Sequence, residues 1–300
     1  MSRNKLAVFG VPTAAGAAAA GGERAPLVLR ETGLLGELKA LGATVVNLSD
    51  LSLFPWRDDA EHPRARNQEV VACAVRAAAD ETTRALAEGF TIVLGGDCTL
   101  VAGVAGGARA FLKQPVGIVY IDANADLNTP ETTPSGNLNG MALAMAMGRG
   151  PVEVVEAAGP PPYVQGDHVS LVGFRELDPG ERSGLGDLGL ALPAQAARRL
   201  GMRVSAALAL DGVANADGPV LVHLDVDVID PSEMPATNTT TPGPGLSFAE
   251  AAELVTALVA SPRVVALEVC EFQPRRDPDG TAARRLVDLL VRAVTRRLRA

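Results

Sequence analysis

The residues of this 300-residue chain best suited to chemistry are acids that directly follow short apolar runs. Asp122, Asn124 and Asp126 stand at i, i+2 and i+4 just after the run Pro115–Ile121. Asp225 and Asp227 lie two apart near the end of a predicted strand over Val220–Val228, a spacing that puts both side chains on one face. Gly95-Gly96-Asp97-Cys98 closes the run Thr91–Leu94, and Glu271 follows the run Val264–Val269. Carboxylates gathered at strand ends repel one another, and the usual remedy is a bound cation. Two such arrays facing each other could hold one or two divalent ions through oxygen ligands. Taken alone, either motif is equally what a helix cap or a turn looks like. Both together, each immediately after an apolar strand, favour the cation.

The elements that must position these acids follow from the apolar pattern. Strands are predicted at Leu6–Val8, Ala43–Leu48, Thr91–Leu94, Pro115–Ile121, His168–Val172, Val220–Val228 and Val264–Val269. Helical spacing predicts helices from about Pro26 to Ala40, over Asn67–Glu88 and over Gly280–Leu298. Strands separated by crossover helices, with near-continuous apolar cores, predict an α/β fold: a mostly parallel sheet covered on both faces. In such folds ligands sit beyond the C-terminal ends of the strands, where the acids and the polar loop Arg175–Glu181 fall. No stretch reads as an interdomain linker, so residues 1–300 are expected to form one domain.

Composition narrows the function classes. Hydrophobic residues at 47% and charged residues at 21% exclude a disordered or coiled-coil chain. Three cysteines, Cys73, Cys98 and Cys270, make no disulfide framework. A net charge of −8 predicts no nucleic-acid surface, and no apolar run is long enough for a membrane span. Met1–Leu6 leads into a strand without a signal-peptide core, so a cytoplasmic location is expected.

Several motifs together resemble the ureohydrolase family of arginases, agmatinases and formiminoglutamases. They are Gly95-Gly96-Asp97-Cys98-Thr99, Asp122-Ala-Asn124-Ala-Asp126-Leu-Asn128-Thr-Pro, Ser135-Gly-Asn137-Leu-Asn139-Gly-Met and Asp225-Val-Asp227-Val-Ile-Asp230-Pro. Ala236-Thr-Asn-Thr-Thr-Thr-Pro and Glu271-Phe-Gln-Pro complete the set, in the family's order and over most of the chain. The resemblance implies a three-layer α/β/α, arginase-like domain with a two-manganese centre. There, metal-activated hydroxide attacks a guanidine carbon and urea leaves. It implies metal ligation by Asp122, Asp126, Asp225 and Asp227, with Cys98 and Asn124 at further ligand positions. It implies catalytic parts for Asp126, which orients the hydroxide, for Glu271 near the guanidinium, and for Asn139. Asn128, Thr133, Ser135 and Asn137 match the loop that binds an α-carboxylate, and Asp178 and Glu181 match the acids that hold an α-amino group. Thr239 matches a family threonine, although Thr241 aligns equally because this segment is two residues longer. Homo-oligomers, trimers or hexamers, are expected by the same analogy.

The chain departs from the family at three histidines. Cys98, Asn124 and Asn139 stand where the family has metal-ligand, metal-ligand and proton-shuttling histidines. A thiolate favours softer ions, an amide oxygen is a weaker donor than imidazole, and Asn139 carries no proton that titrates near neutrality. The expected cofactor is therefore a divalent metal, manganese at reduced affinity or occupancy, or none. A Cys at the first of these positions also gives a partial likeness to hydroxyarginine hydrolases. The chain has only His62, His168 and His223. His223, two residues before Asp225, is a candidate replacement ligand or a donor to Asp225; otherwise it is a buried histidine bonded to a backbone carbonyl. Cys73 and Cys270 read as small core residues.

Three functions compete on these residues. The first is a hydrolase acting on the guanidino or hydroxyguanidino group of a small arginine-like α-amino acid at a divergent metal centre. The second is an inactive homologue that binds an amino acid or regulates a partner. The third is different chemistry on a guanidino substrate without two metals, for which the sequence names no mechanism; Cys98 as a nucleophile assisted by Asp126 or Glu271 is a separate reading, which the surrounding acids oppose.

Overall fold

In the computed structural model, which describes residues 4–214, 217–238 and 241–300, eight strands form one all-parallel sheet. They are Lys5–Gly10 (β1), Thr44–Asn47 (β2), Phe90–Leu94 (β3), Gly117–Ile121 (β4), Val169–Val172 (β5), Leu190–Leu192 (β6), Val220–Asp225 (β7) and Val264–Cys270 (β8). The helices are Ala25–Glu31 (α1), Leu34–Ala40 (α2), Gln68–Glu88 (α3), Leu100–Leu112 (α4) and Ala142–Ala146 (α5). They continue with Val152–Val155 (α6), Ala194–Leu200 (α7), Met202–Gly212 (α8), Phe248–Val259 (α9) and Thr281–Arg299 (α10). No helix among the described residues is long and apolar enough to cross a membrane.

Strand residues alternate between two separate cores, which produces the three layers. Leu6, Val8, Ile92 and Leu94 pack with α1, α2 and α7–α10; Ala7, Phe9, Val93, Ile118 and Tyr120 pack with α3–α6. The strand order is β2-β1-β3-β8-β7-β4-β5-β6. The chain crosses from β3 to β4 early, and β7 and β8 later fill the gap between them. The four central strands, β3, β8, β7 and β4, are those whose C-terminal ends carry the acids.

Several local expectations change. The predicted helix Pro26–Ala40 is broken in two at Gly33, whose φ of 104° a helix cannot hold. The predicted strand Val220–Val228 stops at Asp225, and Val226–Val228 is a 3-10 turn capped by the Asp225 carboxylate. Asp227 therefore reaches the site from a turn rather than from the strand face it was expected to share with Asp225. The short edge strand β6 carries too few residues to show a period, and the sequence pattern missed it.

The loop after β3 is fixed by a backbone approach only glycine permits. A Cβ on Gly96 would lie 1.6 Å from the Thr13 carbonyl oxygen. Gly96→Ala is expected to lose about 3 kcal/mol or more of stability, because a clash between two backbones has no flexible side chain to yield. At Gly36, inside α2, a Cβ would meet nothing within 4 Å. Gly36→Ala is therefore expected to be neutral or to gain up to about 1 kcal/mol. Urea midpoints of the two variants check both; equal midpoints would contradict the close approach.

Candidate active site

Across the three neighbouring strands β4, β7 and β8, alternate residues facing α3–α6 form two rows. Tyr120, His223 and Glu268 lie opposite one another in the strand register, and one step nearer the C-terminal ends Asp225 pairs with Cys270. Asp122 follows Ile121, the residue paired with Leu224, and so extends the second row. The last residues of the strands thus turn an apolar face into a polar floor without leaving the i, i+2 rule.

Asp122, Asp126, Asp225, Asp227 and Glu271 gather at this floor near enough for their charges to act on one another, each between 1% and 6% exposed. Single ligand atoms of Cys98, Asp122 and Asp225 lie within 4.8 Å of one another. Each acid is held by backbone or side-chain donors. Asp225 Oδ1 accepts from Asp227 N (2.7 Å) and Asp122 Oδ1 from Asn124 N (2.7 Å), while Asp227 Oδ1 accepts from Ala123 N (3.3 Å). Tyr120, which the sequence did not single out, donates its hydroxyl to Asp126 Oδ2 at 2.5 Å. Its signal was position alone, two residues before Asp122 on the same strand face.

Two of these acids sit in backbone conformations that cost energy. Asp126 (φ 52°) and Glu271 (φ 63°) are in the left-handed region. The bend at Glu271 lets its N–H donate to the Gly96 carbonyl (2.7 Å) while its Oε1 accepts from Cys98 N (3.0 Å) and Asn139 Nδ2 (3.4 Å). Glu271 thereby pins the β3–α4 loop to the end of β8.

Burial with few counter-charges dominates the electrostatics. Desolvation first, then the neighbouring aspartates, push Asp122 and Asp225 well above the usual carboxylate range. Asp126 is raised too, mainly by desolvation, against the Tyr120 hydrogen bond. Burial raises Asp227, against the attraction of Arg175. Burial and the charge of Asp97 push Glu271 up to about 8. Arg175 straps the rim, donating to the carbonyls of Asp227 (2.8 Å) and Thr241 (3.1 Å).

The donor set fits a hard divalent cation. Four aspartates present oxygen ligands, and Asp122 Oδ2 is buried without a hydrogen-bond partner among the described residues. Asn124 is linked to Thr241, whose hydroxyl lies 2.9 Å from Asn124 Oδ1 and 3.2 Å from Asp227 Oδ2. One hydroxyl proton cannot serve both acceptors. With its proton on Asn124 Oδ1, the nearer acceptor, Thr241 takes one lone pair of the amide oxygen and leaves the other to a cation. Thr241 is the threonine the described structure brings into the site; Thr239 lies outside the described residues.

Cys98 is 1% exposed and donates its S–H to Asp225 Oδ2 at 3.1 Å. Burial, its neighbour Cys270 and Asp225 hold the thiol well above its ordinary pKa, the reverse of what a metal-free nucleophile needs.

The loops expected to grip an amino acid line the rim unevenly. Asn128 donates to Asp178 Oδ2 (2.8 Å), and its own Oδ1 accepts from Thr132 (3.0 Å). Thr133 is buried and caps a turn, accepting from Gly136 N (2.9 Å). Ser135 is exposed and Asn137 half-buried. Glu181 is 3% exposed, and its two oxygens take the backbone N–H groups of Leu127 (3.0 Å) and Asp178 (2.8 Å). Glu181 thus braces the loop, and Asp178 is the acid of the pair that remains partly exposed.

His223 and Cys270 depart from their expected surroundings. His223 Nδ1 meets Glu268 Oε2 at 3.0 Å instead of a backbone carbonyl or Asp225, and its ring stacks on Tyr120 with centroids 4.1 Å apart. Cys270 Sγ lies 3.2 Å from Cys98 Sγ and 3.4 Å from His223 Nε2, so it is not simply an apolar core residue.

Comparison with known proteins agrees with this architecture. The arginase family model matches residues 4–295. The arginase of Bacillus subtilis is 30% identical over 289 residues, covering 95% of this chain and 96% of that one. The solved arginase of Bacillus caldovelox superposes with a TM-score of 0.88 at 28% identity, over 97% of this chain and 98% of that one. Proclavaminate amidino hydrolase from Streptomyces clavuligerus shares the fold at a TM-score of 0.76 and 20% identity, over 99% and 93% of the two chains.

Proposed function

Because the chain belongs to the arginase family, we propose that it is a hydrolase acting on the guanidino or hydroxyguanidino carbon of an arginine-like α-amino acid at a divergent divalent-metal centre. The observation that carries this reading is the convergence of four buried aspartates with Glu271 at the ends of β4, β7 and β8. Asp122, Asp126, Asp225 and Asp227 would hold the cation, with Cys98 and Asn124 beside them. A divalent cation in that set supplies Lewis acidity and lowers the pKa of water.

The chain's own residues supply the rest. Tyr120 fixes one oxygen of Asp126, so the other can accept a proton in a set direction. Glu271 keeps Oε2 buried with no hydrogen-bond partner among the described residues, a place for the paired N–H groups of a guanidinium. With its pKa near 8, Glu271 holds a proton at neutral pH until a cation or a guanidinium approaches. Asn139 Nδ2 orients Glu271 but has no proton to release, so delivery to the leaving amine falls to Asp126, once it has taken the proton of the attacking water, or to water itself. Asp178 faces the α-amino group, and the loop with Ser135 and Asn137 the α-carboxylate. The partner is a small guanidino amino acid, not nucleic acid or a membrane; by family analogy the chain assembles with copies of itself.

Purified full-length protein incubated with Mn²⁺ and arginine, N-hydroxyarginine or agmatine tests this. Urea or hydroxyurea is expected from the amino acids, with agmatine a poor substrate because it offers the carboxylate loop nothing. No product from any guanidino compound at millimolar Mn²⁺ would sink the hydrolase. Cys98, Asn124 and Asn139 at the family's histidine positions favour a second reading, an amino-acid-binding protein without turnover. Calorimetric binding of arginine with no product formed would establish that one instead.

A further inference from the structure

Beside the aspartates and one step beneath them lies a group of softer donors: Cys98 and Cys270 at the level of Asp225, and His223 one step deeper. Cys98 Sγ, Cys270 Sγ and one ring nitrogen of His223 all lie within 4.8 Å of one another, and none of the three residues is more than 1% exposed. The sulfurs are 3.2 Å apart, and Cys270 Sγ is 3.4 Å from His223 Nε2. In a tetrahedral zinc site with bonds of about 2.3 Å to sulfur and 2.0 Å to nitrogen, these edges are about 3.8 and 3.5 Å. Opening the thiols by about half an ångström makes room for the ion.

The imidazole is already oriented for such a role. Glu268 Oε2 takes His223 Nδ1–H at 3.0 Å, and Tyr120 stacks flat on the ring, 4.1 Å away at 4° between planes. A carboxylate behind the ring fixes the tautomer that leaves Nε2 as the acceptor, the arrangement found behind ligating histidines. Glu268 Oε1 is buried with no hydrogen-bond partner among the described residues, so the carboxylate is held there chiefly by the imidazole.

We propose that Cys98, Cys270 and His223 Nε2 form a site for a soft divalent cation, Zn²⁺, backed by Glu268 and open toward Asp225. Two thiolates and an imidazole select zinc over manganese, whereas the aspartates above select hard ions. Asp225 Oδ2, 3.1 Å from Cys98 Sγ, is the link between the soft donors and the aspartates. Binding deprotonates both thiols and releases two protons to solvent. The site does not depend on the guanidine-hydrolase reading; a binding protein would carry it equally.

The test loads chelated full-length protein with one equivalent of Zn²⁺, desalts it, and records zinc content and X-ray absorption. One retained zinc with two sulfur neighbours at about 2.3 Å and a nitrogen or oxygen shell near 2.0 Å is expected. Co²⁺ in its place is expected to show thiolate-to-metal charge-transfer absorption. Cys270→Ala is expected to remove one sulfur neighbour, and Glu268→Gln to weaken zinc binding about 10- to 100-fold. Cys73→Ser, on exposed α3 surface, is expected to change nothing. Zinc ligated only by oxygen and nitrogen in the wild type, no zinc retained, or a Cys98–Cys270 disulfide in its place would overturn the site. None of these readouts uses activity, and the wild-type spectrum does not depend on any variant folding.

Discussion

Asp225→Asn is expected to make the chelated protein more resistant to urea while abolishing its retention of a divalent cation. Asp225 is 4% exposed, and burial together with the charges of Asp227 and Glu271 disfavours its ionised form. The unfolded chain carries the same carboxylate in water at no such cost. Asparagine keeps the shape and the Oδ1 that accepts from Asp227 N, and it can donate to the Cys98 sulfur where the aspartate accepted. Removing the charge is therefore expected to stabilise the metal-free protein by about 1–3 kcal/mol, read as a rise in urea midpoint. The same change deletes an anionic ligand, so affinity for Mn²⁺ and any turnover should fall by more than about a hundredfold. A metal-free variant less stable than wild type would show that Asp225 is held by its hydrogen bonds rather than strained by its charge.

In the presence of chelator, stability is expected to fall as pH rises from about 4.5 to 8, and Mn²⁺ is expected to reverse the fall. A carboxyl whose folded pKa exceeds its unfolded one binds its proton more tightly when folded, so stability drops as pH rises between the two values. For Glu271 that window runs from 4.5 to about 8. Asp122, Asp126, Asp225 and Asp227 shift in the same direction. Their combined loss should amount to at least a few kcal/mol across the window. Asp59, held near 2 by backbone N–H groups and His62, does the opposite, but its contribution is complete above its unfolded pKa of 3.8 and stays flat in this range. Because protons and the cation compete for the same oxygens, the rise in Tm on adding Mn²⁺ should be larger at pH 8 than at pH 5. Calorimetric scans with and without metal at both values check this. Equal metal-induced shifts would mean the aspartates are not the binding groups.

The strong local signals in this chain were legible before any fold. Apolar runs fixed where most strands lie, because a strand buried on both faces has to be apolar along its length. The acids after the runs marked the ligand end of the sheet. Motif order carried the family, and Cys98, Asn124 and Asn139 were legible as the residues standing where the resemblance implies histidines. Element boundaries were less legible. Asp227 looked like a strand residue because Val226 and Val228 continue the alternation, and only the turn capped by Asp225 ends it.

The sequence by itself therefore determined the fold class and the cluster of acids at the strand ends. Tertiary structure alone decided who stands next to whom beneath them. Cys270 reads as a core residue in one dimension, yet it meets Cys98 across 172 positions of chain because β8 is inserted between β3 and β7. Glu268 meets His223 for the same reason, through register between parallel strands. Glu181 reads as a substrate acid until the fold hands both its oxygens to backbone N–H groups. Local periodicity encodes which face of a strand a residue takes. It does not encode strand order or register, which are set by how whole layers pack, and in this protein those two choices assemble the thiols, the imidazole and its carboxylate.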